Sequence, residues 1–341
     1  MREIDFQTKA LYAELLDQMQ ALEALKTVAD LKGSFLVRKN NGKDYVYFQH
    51  YAIGGHLEQV YVGKLDDKAE RLMRDHAEGK TDVHAARENS RRLALQISAV
   101  RGMATDKSMA RVIQGLAEAG VFKLGGVLVG THAYKTIGIM LGVLWTSDTM
   151  ATLDIDIAAP RSVSVAIPMI TADIPAAIDS LKMGFIPVPA MDLKQHSTSF
   201  MVRRSSLRLD LLTPKTTKSS APVVIPRFNC AAMPLDYLSF LIESPVEAVL
   251  VDSTPVLVNV PQPARYALHK LIISQVRDSS RNTKSDKDLH QAYQLLSLLH
   301  TIRPDDIQLA WENLIGRGPK WKKPVEKGMA AMERRFGKLG G

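Results

Sequence analysis

Cysteine is almost absent from this 341-residue chain, which contains only Cys230. One cysteine excludes an internal disulfide and cannot hold a structural zinc ion alone. No apolar run reaches the roughly 18 residues that a membrane-spanning helix needs, so we expect no membrane association. The first residues, MREIDFQTKALYAELL, lack the apolar segment of a signal peptide. These absences together predict a protein of the reducing cytoplasm.

Positive charge exceeds negative charge, and the formal net charge is +8. Such an excess favours polyanionic partners, such as nucleic acids or nucleotide phosphates, although a solvated basic surface would give the same number. The C-terminal stretch RGPKWKKPVEKGMAAMERRFGKLGG is the most basic part of the chain. It is compatible either with phosphate contacts or with a partly disordered end.

The N-terminal third, residues 1–106, is predicted to form a unit of its own. Apolar residues at three- and four-residue steps predict a helix within residues 1–30. Apolar and polar residues then alternate over about residues 34–63, interrupted at Asn41-Gly42 and Gly54-Gly55, which predicts three antiparallel strands. A charged helix follows over 66–104, with Gly79 as a candidate break.

One of these strands, DYVYFQHY, is rich in aromatic residues and is surrounded by lysine and arginine. Exposed aromatic rings among cations are typical of a surface on which nucleic-acid bases stack. Aromatic residues also fill the packed face of small sheets. The packed face is the favoured interpretation, and both stay open from the sequence alone.

The remainder of the chain contains both strand and helix patterns, and the fold class that we expect is α+β. Residues 107–230 contain a helix, then the strand-turn-helix pattern VLVGTHAY, the strand TLDIDIA and a hairpin ending in SLRLDLLTP. Residues 231–341 are predicted to form a mostly helical C-terminal domain with the basic tail. In that region, Ser285 or Asp286 is the expected N-cap of one helix.

Three aspartates in these strands suggest a charged site. Asp154 and Asp156 are two residues apart, so they lie on the same face of a strand. Their repulsion is relieved if they share a divalent cation, and Asp210 on a later strand would supply a third carboxylate. The alternatives are exposure of the pair at a strand end and an ion pair of Asp210 with Arg208.

The order of these motifs resembles the DNA polymerase-β nucleotidyltransferase superfamily, which has Gly-Ser or Gly-Gly before Asp-x-Asp and a third Asp on a later strand. Gly130-Thr131 keeps the hydroxyl of that turn. Over about residues 108–300 the chain is similar to a bacterial family of nucleotidyltransferase-fold proteins related to antiphage and toxin–antitoxin enzymes. The resemblance implies a polymerase-β-like core, a mixed sheet flanked by helices, with a helical C-terminal region and an N-terminal helix plus small antiparallel sheet.

The resemblance also implies roles for individual residues. Asp154, Asp156 and Asp210 would be the catalytic residues and would bind Mg²⁺ or Mn²⁺, with Asp210 taking the proton of the acceptor hydroxyl. The nucleotide-binding set would be Gly130, Thr131, Lys270 and Lys287. An ordinary solvent-facing position on a helix is an equal alternative for Lys270 and the favoured interpretation for Lys287.

The predicted function is therefore metal-dependent transfer of a nucleoside monophosphate from an NTP to an acceptor hydroxyl. RNA, including tRNA, is the expected acceptor class, and a toxin or defence role with a protein partner or antitoxin is a further expectation. The alternative is a catalytically silent nucleic-acid-binding or regulatory protein that keeps the fold. The sequence does not predict an oligomeric state.

Overall fold

The computed structural model of the chain describes residues 1–25, 33–40, 42–51, 57–100, 103–145, 153–161, 172–189, 196–276 and 282–339. These residues form two compact units. The first unit combines Met1–Lys9 with Ser98–Gly341, and the second is Ala10–Ile97. The further division expected at residue 230 stays a prediction.

Helices and strands alternate in the described residues much as the hydrophobic periodicity predicts. The helices are α1 Phe6–Leu25, α2 Asp67–Ser98, α3 Lys107–Glu118, α4 Gly130–Met140, α5 Ile174–Ser180, α6 Leu238–Ile242, α7 Pro263–Val276, α8 Asn282–Ile302, α9 Pro304–Ile315 and α10 Pro319–Phe336. The strands are β1 Arg2–Glu3, β2 Ser34–Asn40, β3 Lys43–Tyr51, β4 Leu57–Lys64, β5 Val127–Val129, β6 Val143–Leu144, β7 Asp154–Ala158, β8 Phe185–Pro187, β9 Ser199–Val202, β10 Arg208–Pro214, β11 Val223–Ile225, β12 Cys230–Leu235, β13 Val246–Leu250 and β14 Val256–Val260.

The second unit contains the predicted three-stranded antiparallel sheet, in the order β2-β3-β4. Its side chains alternate between two faces because strands have a two-residue period. On one face Val46 is fully buried, and the rings of Phe35 and Phe48 contact the His76 ring of α2 at 5.1 and 5.8 Å. The sheet is therefore packed on α2 by one face.

The first unit is built on a mixed seven-stranded sheet. Along its main path the order is β11-β12-β10-β7-β5, and β9 also pairs with β10 and with β8. The neighbours β7 and β12 both run parallel to β10, whereas β5 runs antiparallel to β7. With helices packed around this sheet, the chain has the mixed α+β architecture that the sequence predicts.

Local contacts explain where two of the core helices begin. The Asp106 carboxylate accepts hydrogen bonds from the backbone N–H groups of Ser108 and Met109 at 2.9 and 3.3 Å, so it caps α3. Asp173 caps α5 by accepting from the Ala176 N–H at 2.8 Å. Both helices then place an apolar face against the sheet core.

Several local expectations need correction. Gly79 does not break its helix, because α2 runs through it from Asp67 to Ser98. The helix expected to begin at Ser285 or Asp286 begins at Asn282 instead. The turn at Gly54-Gly55 lies outside the described residues.

The basic C-terminal stretch is not a disordered end over the residues that the structure describes. Residues 319–336 form α10, in which Val325 and Met332 are fully buried. Trp321 packs edge-on against Tyr237 with ring centroids 5.0 Å apart. No helix among the described residues is long and apolar enough to cross a membrane.

Candidate nucleotide and metal site

Two neighbouring parallel strands bring the predicted carboxylates together. In the register of β7 and β10, Asp156 is paired with Asp210 and Asp154 with Arg208. Ile155 and Leu209, on the opposite face of these strands, are fully buried in the core. The three aspartates therefore share one face of the sheet, with Asp156 and Asp210 side by side and Asp154 exposed.

Gly130 closes one side of this face. Its backbone φ of +68° lies in the left-handed region, which favours glycine. A Cβ at this position would also collide with Oδ2 of Asp156, because Val129 pairs with Asp156 across the antiparallel strands β5 and β7. Conformation and close approach thus both require glycine where α4 begins.

The environment of Asp156 disfavours its negative charge. Burial, followed by the Asp210 and Asp154 carboxylates, raises the pKa of Asp156 from 3.8 to about 6. Lys270 and Arg208 act in the opposite direction and offset part of this increase. The carboxylate cluster therefore carries more negative charge than its protein neighbours compensate.

Asp210 has its own partners. Its Oδ1 accepts a hydrogen bond from Arg208 Nε at 2.7 Å and a short one from the Ser199 hydroxyl, and Arg208 Nη2 donates to that hydroxyl at 2.9 Å. The alternative interpretation of Asp210 as the ion-pair partner of Arg208 is thus seen directly. Asp210 still contributes to the high pKa of Asp156.

A divalent cation, which the family resemblance implies, fits this site in chemistry. Carboxylate oxygens on one face are hard ligands of the kind that Mg²⁺ and Mn²⁺ prefer, and the uncompensated charge at Asp156 favours a cation. As the side chains are arranged, however, no group of three His, Cys, Asp or Glu residues in the described part of the chain could hold a metal ion. A cation bound by all three aspartates would compete with Arg208 for Asp210.

Basic side chains lie on the other side of Gly130, at the N-terminus of α4. Lys287 Nζ of α8 donates to the Thr131 hydroxyl at 3.3 Å. Thr131 is the second residue of α4, where backbone N–H groups and the helix dipole favour an anion. The structure therefore joins two of the predicted nucleotide-binding residues, Thr131 and Lys287, although they are far apart in sequence.

Lys270 approaches the same region from α7. Its Nζ is 2.7 Å from Asp288 Oδ1 and lies over the Tyr266 ring, 5.3 Å from the centroid. Its side chain is only 14% exposed, so the expectation of an ordinary solvent-facing lysine is wrong at this position. Its charge lowers the pKa of Asp156, which links the basic group to the carboxylate face.

Several lysines crowd around Lys287. Burial and the positive charge of Lys270 lower the pKa of Lys287, with smaller contributions from Lys135 and Lys284 in the same direction. The negative charge of Asp288 opposes this change only in part. A group of like charges beside a helix N-terminus is relieved by a bound anion, as a phosphate would provide.

An aromatic stack supports the first turns of α4. Tyr134 stacks on Trp145 at 4.6 Å and on Tyr266 at 5.8 Å, and its hydroxyl donates to Gln294 Oε1 at 2.7 Å. The Tyr266 hydroxyl donates to the Gly130 carbonyl at 2.9 Å. These contacts tie the helix start to α7 and α8, which carry the lysines.

Comparison with known proteins identifies the family. A family model described as Nucleotidyltransferase matches residues 107–316, well over half of the chain. The chain belongs to this nucleotidyltransferase family. The matched region contains every residue of the carboxylate face and of the lysine group.

Two other comparisons add little to this nucleotidyltransferase assignment. A crystal structure of an antigenic nucleotidyltransferase-like protein from Paracoccidioides brasiliensis aligns with 15% identity and a TM-score of 0.34. The alignment covers 66% of this chain and 94% of that one, and a TM-score this low supports no argument. No curated protein matches the chain.

Sequence reasoning missed several residues of the site. Lys135 follows Thr131 by four residues, and Tyr266 precedes Lys270 by four. Residues four apart share a helix face, so this spacing was a signal from which Lys135 and Tyr266 could have been found. Asp288, which pairs with Lys270, gave no such signal because the contact joins two helices. In this nucleotidyltransferase, the approach of α7 and α8 to α4 completes the basic group.

Proposed function

We propose that this nucleotidyltransferase moves a nucleoside monophosphate from an NTP to an acceptor hydroxyl, in the manner of the polymerase-β superfamily that its motifs resemble. The observation that carries the proposal is the juxtaposition of opposite charges around Gly130. Asp156 and Asp210 lie side by side on one side, and Lys287 contacts Thr131 at the start of α4 on the other. A triphosphate complements the lysines, and a divalent cation complements the carboxylates.

The residues around Thr131 would hold the triphosphate. Lys287 and Lys270 supply positive charge, and the N-terminus of α4 supplies backbone donors. Because Gly130 has no side chain, the phosphates can approach the backbone closely, as they do at other glycine-containing turns. Binding at this point would orient the α-phosphate toward the carboxylate face, which is mainly a positioning contribution.

Asp154, Asp156 and Asp210 would hold Mg²⁺ or Mn²⁺. When bound, the cation supplies positive charge for the triphosphate and for the attacking oxygen. The proposed role of Asp210 is to take the proton of the acceptor hydroxyl. Its Oδ1 accepts hydrogen bonds from Arg208 and Ser199, so Oδ2 is the oxygen that would take the proton.

RNA, including tRNA, is the proposed acceptor class, supported by the +8 net charge. The test incubates the purified chain with cell extract, Mg²⁺ or Mn²⁺, and each of the four α-³²P-labelled NTPs in turn. We expect one NTP to label an acceptor that RNase removes and protease does not. Asp156→Asn should abolish the labelling, and Lys323→Met, at an exposed position of α10, should leave it intact. Absence of Asp156-dependent labelling with any NTP refutes the proposal.

A second candidate function has a specific observation in its favour. Because Arg208 already pairs with Asp210 and the described residues form no group of three metal ligands, the site is also compatible with a silent enzyme that binds nucleotide or nucleic acid without turnover. The two functions differ in one measurement. A silent protein binds NTP in equilibrium dialysis with unchanged affinity in Asp156→Asn and labels no acceptor.

The proposed toxin or defence role depends on activity and has its own test. Expression of the wild-type chain in a bacterial host should arrest growth, and Asp156→Ala should relieve the arrest. Arrest by both forms would exclude nucleotidyl transfer as its cause. Normal growth with the wild-type chain would refute a free-standing toxin.

A further inference from the structure

The three-stranded sheet of the second unit has one face that its own helix α2 does not use. Strand register assigns the paired positions of β2, β3 and β4 to one of two faces. Phe35, Val46 and Phe48 define the packed face. We call the opposite face the tyrosine face; its members with described side chains are Ser34, Leu36, Arg38, Lys43, Tyr45, Tyr47, Gln49, Leu57, Gln59, Tyr61 and Lys64.

Aromatic rings form the centre of the tyrosine face. Tyr47 and Tyr61 are register partners, and their ring centroids lie 5.6 Å apart. Tyr45 lies 6.2 Å from Tyr61, and Tyr61 is 55% exposed. The two ring contacts have interplanar angles of 64° and 50°, so they join the three rings edge-on and tilted into one aromatic platform on the outward face.

Cations flank these rings. Arg38 and Lys64 are the register partners of Tyr45 on either side, so a basic–aromatic–basic row crosses the sheet. The Arg38 guanidinium also lies 5.7 Å from the Tyr47 ring centroid. No outward register position of the three strands is occupied by Asp or Glu, whereas Asp44 belongs to the packed-face register.

A pair of glutamines on the tyrosine face adds hydrogen-bonding capacity. Gln49 and Gln59 are register partners, and Gln59 Nε2 donates to Gln49 Oε1 at 3.1 Å. Both amides keep donor and acceptor capacity beyond this one bond. The face thus combines stacking surfaces, positive charge and polar groups that match base edges, with no negative charge among its strand positions.

We propose that the tyrosine face binds single-stranded nucleic acid. Bases stack on Tyr47 and Tyr61, and backbone phosphates contact Arg38 and Lys64. The duplex form is excluded as the main ligand because its base faces are already covered by neighbouring base pairs. An acidic peptide would satisfy the cations but would leave the tyrosine platform without its stacking partner. Binding at this face requires neither NTP nor nucleotidyl transfer, so it stands independently of the proposed function.

The test uses the full chain without NTP or metal, with 5′-fluorescein-labelled 12-nucleotide oligo(U) and oligo(dT) followed by fluorescence anisotropy. Tyr61→Ala should weaken binding at least about fivefold, and Tyr61→Phe should retain it, because the ring rather than the hydroxyl is used. Arg38→Ala should reduce the slope of log affinity against log salt by about one. The two probes distinguish RNA from DNA as the preferred strand.

Controls separate this face from other basic surfaces. Lys39→Ala removes the same charge from an exposed position in the packed-face register of β2, so it should bind as tightly as wild type. Equal losses in Arg38→Ala and Lys39→Ala, or unchanged affinity in Tyr61→Ala with an unaltered circular dichroism spectrum, would overturn the proposal.

Discussion

Removal of the negative charge at Asp156 should stabilise the metal-free protein at neutral pH. Asp156 shares its sheet face with Asp154 and Asp210, and its pKa in the folded protein is about 6 compared with an ordinary value of 3.8. The folded state therefore binds the proton more tightly than the unfolded state. Stability contributed by the protonated carboxyl is complete below pH 3.8 and is lost as the pH rises through 6.

The size of this effect follows from the two pKa values. A difference of about two pKa units corresponds to about 3 kcal/mol, since each unit is worth about 1.4 kcal/mol. Asparagine has nearly the same shape and no charge. We expect Asp156→Asn to raise the free energy of unfolding by up to about 3 kcal/mol at pH 7.5 and to change it little near pH 4.

Urea denaturation followed by tryptophan fluorescence measures this difference. The chain has three tryptophans, Trp145, Trp311 and Trp321, and all belong to the unit that contains the site. The titrations are run in EDTA from pH 4 to 7.5. The free energy of unfolding of Asp156→Asn should exceed that of wild type by an amount that grows as the pH rises over this range.

A matched variant and the cation complete the test. Asp154→Asn removes the same charge from the exposed end of the same strand, so its gain should be smaller. Added Mg²⁺ should stabilise wild type more than Asp156→Asn if the carboxylates bind it. Parallel pH profiles for wild type and Asp156→Asn in EDTA would refute the charge repulsion argued for this site.

Three further variants or reagents test other parts of the structure. Gly130→Ala and Gly120→Ala both place alanine at positive φ, which costs about 1–2 kcal/mol of stability each. Only the Cβ of Gly130→Ala collides with a carboxylate, so this variant should lower the free energy of unfolding more. Equal losses in the two variants would argue against the close approach of Asp156 to Gly130. Lys287→Met should weaken NTP binding in equilibrium dialysis about tenfold, whereas Lys323→Met, a control at an exposed position, should bind NTP like wild type. Equal NTP affinities of the two variants would contradict a phosphate contact by Lys287. Burial raises the pKa of Cys230 to about 12, so a thiol reagent at pH 8 should label the folded chain far more slowly than the urea-unfolded one, and similar rates would contradict this.

Local sequence pattern predicts most helices and strands of the described residues because their periodicity is a local property. Alternation located the three strands β2 to β4, and the three- and four-residue spacing located α1 and α3. The errors also have local causes. A glycine costs only about 1 kcal/mol in a helix interior, which the long helix α2 tolerates at Gly79.

The aromatic strand shows why one pattern left two interpretations open. Alternation predicts that half of its side chains face each way, but not which half is covered. In the structure one face is packed, as the favoured interpretation predicts, and nucleic-acid stacking on the outward face stays a prediction. Phe48 packs on α2, while Tyr47 lies on the outward face beside Tyr61.

Local sequence pattern was sufficient to predict which chemical groups are present and in what order: Gly130-Thr131, the Asp154 and Asp156 pair on one strand face, and Asp210 on a later strand. Those follow from the two-residue period of a strand and from glycine's access to positive φ. The position of Asp210 beside Asp156 and the contact of Lys287 with Thr131 became visible only in the folded chain. Strand register and helix packing arise from burial of the whole core, so they join residues whose separation in sequence carries no periodic signal.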